Sequence, residues 1–222
     1  MLAFEGMSAP AAVLERLRRA PAAGVTLFRA LNVESPKQVR ALTSALQDAA
    51  GDGLLIAADQ EGGQFIALGE GSTPFAGNMA LGAVDDVRLT ERVGRAIGTE
   101  ARAMGVNVVY APVLDVASNP SNPALGIRAF GDDPGLVGRH GAAMVRGLQS
   151  AGVAASIKHF PGAGEAAADP HHGVVSVPAS RAIVSSREFA PFREAVAAGA
   201  RVAMSAHLAL PAVTGRDDVP AT

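Results

Sequence analysis

The chain has 222 residues, of which 49 % are hydrophobic and 18 % charged, with a net charge of −2. That length and apolar content suit one compact domain and exclude disorder, while the near-neutral charge leaves no basic footprint for nucleic acid. No Cys is present, which removes disulfides and thiolate metal ligands, and the apolar runs are too short and interrupted to predict a membrane span.

Taken in chain order, the strand candidates are MLAFEG (1–6), GVTLF (24–28), GLLIAAD (53–59), GVNVVYAPVLD (105–115), GVAASIKHF (152–160) and ARVAMSAHL (200–208). The opening stretch MLAFEGMSAP lacks the positive n-region of a signal peptide, so a cytoplasmic location is expected. Amphipathic helices are predicted at 35–50, 90–105, 133–152 and 186–200. The first of these opens with Ser35 as N-cap and Pro36 in the first turn. Asp132 and Asp133, just before Pro134, are expected to cap the third. Each helix ends near a Gly shortly before a strand, as repeated βα units require.

Near-continuous apolar strands alternating with helices indicate a parallel sheet covered by helices. An open doubly wound sheet and a closed barrel both satisfy that pattern. No G-x-G-x-x-G follows an early strand, which removes support for a dinucleotide crevice. Polar residues gather instead after strand ends: DQEGG (59–63), Asp115, KHFPG (158–162) and His207. Sites built from many successive strand ends are the habit of the TIM barrel, which has eight βα units and about 250 residues. The expectation is therefore an α/β chain forming an incomplete TIM-like (β/α)8 barrel. About six of the eight units are present, in a single domain over 1–222.

Four polar clusters carry the functional argument. Asp59 and Glu61 lie on a Gly-containing loop that reads either as a solvated turn or as a site for sugar hydroxyls or a cation. Arg128, in SNPALGIRAFGDDP (121–134), reads either as a surface charge or as an inward clamp. Lys158 and His159 are adjacent at a strand end, and successive strand side chains point to opposite faces. Both reach one pocket only if the strand ends or bulges there, which Pro161-Gly162 would arrange. In the small-residue loop AGEAAADPHHG (163–173), Asp169 and His171 are close enough to pair. A carboxylate beside an imidazole raises its basicity and fixes its tautomer, which suits acid–base work near neutral pH. The alternative is an Asx turn with exposed histidines. A zinc site from Asp169, His171 and His172 with His159 or His207 is disfavoured, because adjacent histidines rarely fit one tetrahedral site and no standard spacing is present.

The motifs DQEGG, GVNVVYAPVLDV, GIRAFGDDP, IKHFPGAG, DPHH and MSAHL occur in the order found in glycoside hydrolase family 3. The chain resembles in particular that family's bacterial β-N-acetylglucosaminidase branch, from the first strand to the closing VPAT. The resemblance implies a TIM-like barrel and a retaining, exo-acting β-N-acetylhexosaminidase, with a carbohydrate substrate and no metal or organic cofactor. It assigns the acid/base to the His171–Asp169 dyad and the grip on the terminal sugar to Asp59, Arg128, Lys158 and His159.

Three departures from the family pattern stand out. Ala163 replaces a His in KHFPGHG, EGGQF with Ala67 replaces a loop that often carries an Arg, and Pro170 stands where Ser is usual. The family's nucleophilic Asp belongs to a downstream SDAL-like motif, which Asp217 and Asp218 do not match, so the 222 residues alone are expected to be inactive. Two further readings remain: a non-catalytic sugar-binding remnant of such a barrel, and a β-glycoside phosphorylase, since a neutral His repels incoming phosphate less than a carboxylate does.

Overall fold

The computed structural model describes residues 1–20, 22–51 and 53–220. Five parallel strands form one curled sheet in chain order: β1 (Gly24–Leu27), β2 (Leu55–Ala58), β3 (Val108–Val109), β4 (Ala154–Phe160) and β5 (Val202–Ser205). Helices pack against its outer face: α1 (Ala11–Arg19), α2 (Pro36–Ala50), α3 (Asn78–Val84), α4 (Val87–Ala103), α5 (Pro134–Ser150) and α6 (Phe189–Ala197). This is the incomplete TIM-like barrel that the alternation of elements predicts. Among the described residues, no helix is long and apolar enough to cross a membrane.

The outward strand residues Val25, Leu27, Ile56, Val109, Ala155 and Ile157 pack with Leu42, Leu46, Val93, Ile97, Met144 and Leu148 of the helices in one core. Helices α4 and α5 approach closely because both carry Gly at the contact. A Cβ on Gly147 would stand 2.3 Å from the Glu91 carbonyl oxygen, and one on Gly94 would stand 2.9 Å from that of Met144. The caps fall where expected: Ser35 accepts from the Gln38 amide at 3.2 Å and Asp133 from that of Leu136 at 2.6 Å. Helix α4 starts earlier than the apolar pattern suggests, since Asp86 caps it by accepting from Arg88 and Leu89.

Three elements differ from expectation. The first strand is reduced to a single parallel bridge between Leu2 and Val25. Beyond it, the Asn32 side chain donates to the carbonyls of Phe4 and Gly6, which are thus satisfied outside any ladder. The 105–115 strand pairs regularly only at Val108–Val109, because Pro112 has no N–H for the ladder; pairing resumes at the Val113–Lys158 bridge. The 186–200 helix is preceded by a π-type turn at Val184–Glu188. Pro191, in the first turn of α6, cannot donate to a carbonyl one turn back, and the wider turn accommodates it.

The sheet's C-terminal ends converge on one mouth. Between β4 and β5 the register slips from Ile157 to Phe160, and the Lys158–His159 peptide is cis. The last two residues of the VPAT resemblance, Ala221 and Thr222, lie outside the described residues.

Candidate active site

Four of the residues singled out in the sequence meet in one chain of contacts at that mouth. Lys158 is 1 % exposed, and its Nζ lies 2.5 Å from Asp59 Oδ1 and 2.6 Å from Glu61 Oε1. Glu61 in turn accepts from Arg128, at 3.0 Å from Nε and 2.7 Å from Nη2. Arg128 also donates to the Ala124 carbonyl at 2.8 Å, and its guanidinium sits 4.4 Å above the Phe65 ring. Its Nη2 lies 3.4 Å from His159 Nε2. On the other side of that ring, Nδ1 is 2.6 Å from Asp115 Oδ2. The slip in β4 therefore brings Lys158 and His159 to the same region, as the Pro-Gly step suggested.

Burial sharpens the electrostatics. Removal from water pushes the Glu61 carboxyl up, yet the Arg128 hydrogen bonds and the Lys158 and Arg128 charges outweigh it and hold the group below its ordinary value. The Asp115 carboxyl follows the same logic: burial raises it, and the His159 charge and hydrogen bond, with the amides of Ala163 and His159, bring it below its ordinary value. For Arg128, burial acts against the charge, and the hydrogen bond and charge of Glu61 more than restore it. The site thus keeps its charges fixed and its side chains locked.

Glu61 and Asp115 are residues to which the resemblance assigns no role. Glu61 reads in the sequence only as one carboxylate of a loop with two possible readings, and Asp115 only as a strand end. Their roles depend on partners 67 and 44 positions away, Arg128 and His159. The departures from the family pattern also find their places. Ala163 is buried and uses its amide to donate to Asp115 at 2.7 Å, and Phe65 of the altered loop carries Arg128.

The Asp169–His171 pair sits on the loop after β4. His171 Nδ1 lies 2.6 Å from Asp169 Oδ1, and the His171 amide donates to the same oxygen at 2.9 Å. These two hydrogen bonds, the amide first, hold the Asp169 carboxyl below its ordinary value. The turn reading and the pair reading are therefore both true of one motif. His171 is 73 % exposed, and it lines the same pocket of ≈ 160 Å³ as Arg128, His159 and Asp115. Leu125, Met204 and Ala206 give that pocket an apolar side, and His207 also lines it.

Asp217 is exposed, and Asp218 is paired at 2.8 Å with the exposed Arg216; neither lines the pocket. Among the described residues, no group of three or more His, Asp or Glu side chains is gathered to hold a metal ion.

A parallel, TIM-like sheet whose strand ends gather carboxylates, cations and imidazoles around a small pocket has the arrangement of an enzyme's catalytic domain. Residues 6–222 match the glycosyl hydrolase family 3 N-terminal domain, and the chain belongs to that family. It is 38 % identical over 215 residues to beta-hexosaminidase A of Pseudoalteromonas piscicida, covering 92 % of this chain and 36 % of the relative. It is likewise 38 % identical to a beta-hexosaminidase of Stenotrophomonas maltophilia, covering 86 % of this chain and 58 % of that one. The structure of a glycoside hydrolase family 3 beta-N-acetylglucosaminidase from a Paenibacillus species superimposes with a TM-score of 0.94 at 42 % identity, over 98 % of this chain and 42 % of that one. NagZ from Neisseria gonorrhoeae, solved with N-trifluoroacetyl-D-glucosamine, gives 0.91 at 29 % identity, over 98 % of this chain and 65 % of that one. The chain thus spans between about a third and two thirds of the length of these relatives.

Proposed function

We propose that residues 1–222 are part of the catalytic barrel domain of a retaining exo-β-N-acetylhexosaminidase. The relatives named above as hexosaminidases and N-acetylglucosaminidases support the reaction class. The observation that carries the mechanism is the loop dyad. With Nδ1 engaged by Asp169, His171 keeps Nε2 without a protein partner among the described residues, at a pocket shared with Arg128 and His159.

In this reading the carboxylate selects the tautomer and supports the imidazolium, so that Nε2 protonates the departing glycosidic oxygen. In the second half of the double displacement the same nitrogen takes a proton from water. Asp59, Arg128, Lys158 and His159 hold the hydroxyls of the terminal sugar. Glu61 fixes the two cations and Asp115 fixes the His159 ring, so the sugar meets a preorganised wall. The covalent nucleophile is supplied by a part of the barrel outside these residues.

The test uses the product of the full reading frame. His171→Ala is expected to slow cleavage of N-acetylglucosaminides with poor leaving groups by about 10²–10⁴-fold, the usual contribution of a general acid. The glycosylation step with an activated aryl N-acetylglucosaminide should slow far less, because that leaving group departs without a proton. An equal loss on both substrates removes His171 from this role and turns attention to His172.

A further inference from the structure

Arg187 lies in the π-type turn ahead of α6, and its guanidinium joins two carboxylates from different parts of the fold. Nε donates to Glu188 Oε1 at 2.6 Å, and Nη2 donates to Glu165 on the loop that carries the Asp169–His171 pair. Glu188 is 1 % exposed, and its Oε2 is buried without a hydrogen-bond partner among the described residues. It lies against the turn that follows His159: a Cβ on Gly162 would stand 2.7 Å from that oxygen. Burial pushes the Glu188 carboxyl up, against the pull of Arg187.

The loop itself has two halves. Its root, residues 161–166, is mostly buried and tied down from outside. Asn122 Nδ2 donates to the carbonyls of Ala163 and Gly164 at 2.8 and 3.1 Å, and Asn119 Nδ2 donates to that of Ala166 at 3.1 Å. Past Ala166 the picture changes. Asp169, His171 and His172 hydrogen-bond only among themselves in the described structure. The outer half is held at its two ends, by this root and by the pairing of Val175–Ser176 with Leu208–Ala209, and Glu165 is the charged side chain at the root.

We propose that Arg187 is a positioning residue. With Glu165 and Glu188 it forms a strut between the π-type turn ahead of α6 and the loop root, and so helps set where His171 stands relative to the pocket. Arg187 does not line the pocket and acts through His171. The catalytic meaning of the strut rests on the acid/base reading above, whereas the strut as a structural device does not.

The test compares Arg187→Ala, Arg187→Lys and Glu165→Gln in the product of the full reading frame. A misplacement of about 1 Å at a reacting group costs up to ~10²-fold in rate. Arg187→Ala is accordingly expected to lower kcat on poor-leaving-group N-acetylglucosaminides about tenfold or more, to change KM little, and to spare activated aryl substrates. Arg187→Lys should recover part of the loss, and adding Arg187→Ala to His171→Ala should cost nothing further. Equal losses on both substrate types, or losses that multiply with His171→Ala, overturn the proposal. Hydrogen exchange of the amides from Glu165 to Gly173 gives a readout independent of activity. Faster exchange confined to that segment in Arg187→Ala and Glu165→Gln supports the strut, and unchanged exchange overturns it. Glu165→Gln leaves the buried Glu188 contact intact and carries the test where Arg187→Ala does not fold. A wild-type protein without glycosidase activity would instead sink the functional reading, with the exchange result still deciding the strut.

Discussion

Replacing Glu61 by Gln removes the anion that two buried cations share. Glu61 is 3 % exposed, Arg128 9 % and Lys158 1 %. After the change, Lys158 retains Asp59, whose side chain is 29 % exposed, while Arg128 loses both charged acceptors of its fork. Leaving a buried charge without its partner costs about 3–5 kcal/mol. The amide oxygen of Gln still accepts one hydrogen bond, which places the expected loss near the lower end, about 3 kcal/mol. For a chain of this size each kcal/mol moves the melting temperature by about 2–4 °C, so Tm should fall by roughly 6–12 °C. Circular dichroism melts of wild type and variant at neutral pH measure it. The pH dependence follows from linkage. The folded-state pKa of Glu61 lies below its ordinary value of 4.5, so its contribution is present above that value. It is lost as pH falls through the lower folded-state value, and the gap between wild type and Glu61→Gln should narrow from pH 4.5 downward. A loss below about 1 kcal/mol, the worth of a solvent-exposed pair, would refute the reasoning. A gap that stays constant on acidification would do the same.

Two further changes probe neighbouring parts of the argument. Asp115→Asn removes the charge that faces His159 Nδ1 and the Ala163 amide, and should cost about 1.5–3 kcal/mol in urea unfolding at unchanged m value. Wild-type stability would mean that those contacts do not hold the ring. Gly147→Ala places a methyl 2.3 Å from the Glu91 carbonyl oxygen and 2.9 Å from the Arg95 amide nitrogen, forcing α4 and α5 apart at a cost of about 1–3 kcal/mol. An unchanged Tm would contradict the close approach of those helices.

Much of the architecture follows from interactions that act within a few residues. The alternation of apolar runs and amphipathic segments, the Ser35 and Asp133 caps, and the gathering of polar residues at strand ends need only dihedral preference and periodicity. The Asp169–His171 pair was legible for the same reason: its members are two positions apart and bond through a local turn. Tertiary structure decided the rest. An opening strand-like sequence became one bridge because a side chain 26 to 28 positions away satisfied its carbonyls. The 186–200 segment reads as one continuous helix, and nothing local shows that its start opens into a π-type turn whose Arg187 reaches Glu165, 22 positions earlier. Glu61 reads locally as one loop carboxylate among several. Its weight comes from Lys158 at a strand end and Arg128 in the turn Gly126–Arg128, brought to it where all three side chains are buried. A charge acquires its energetic meaning from what surrounds it after burial, and that environment exists only once the barrel has folded.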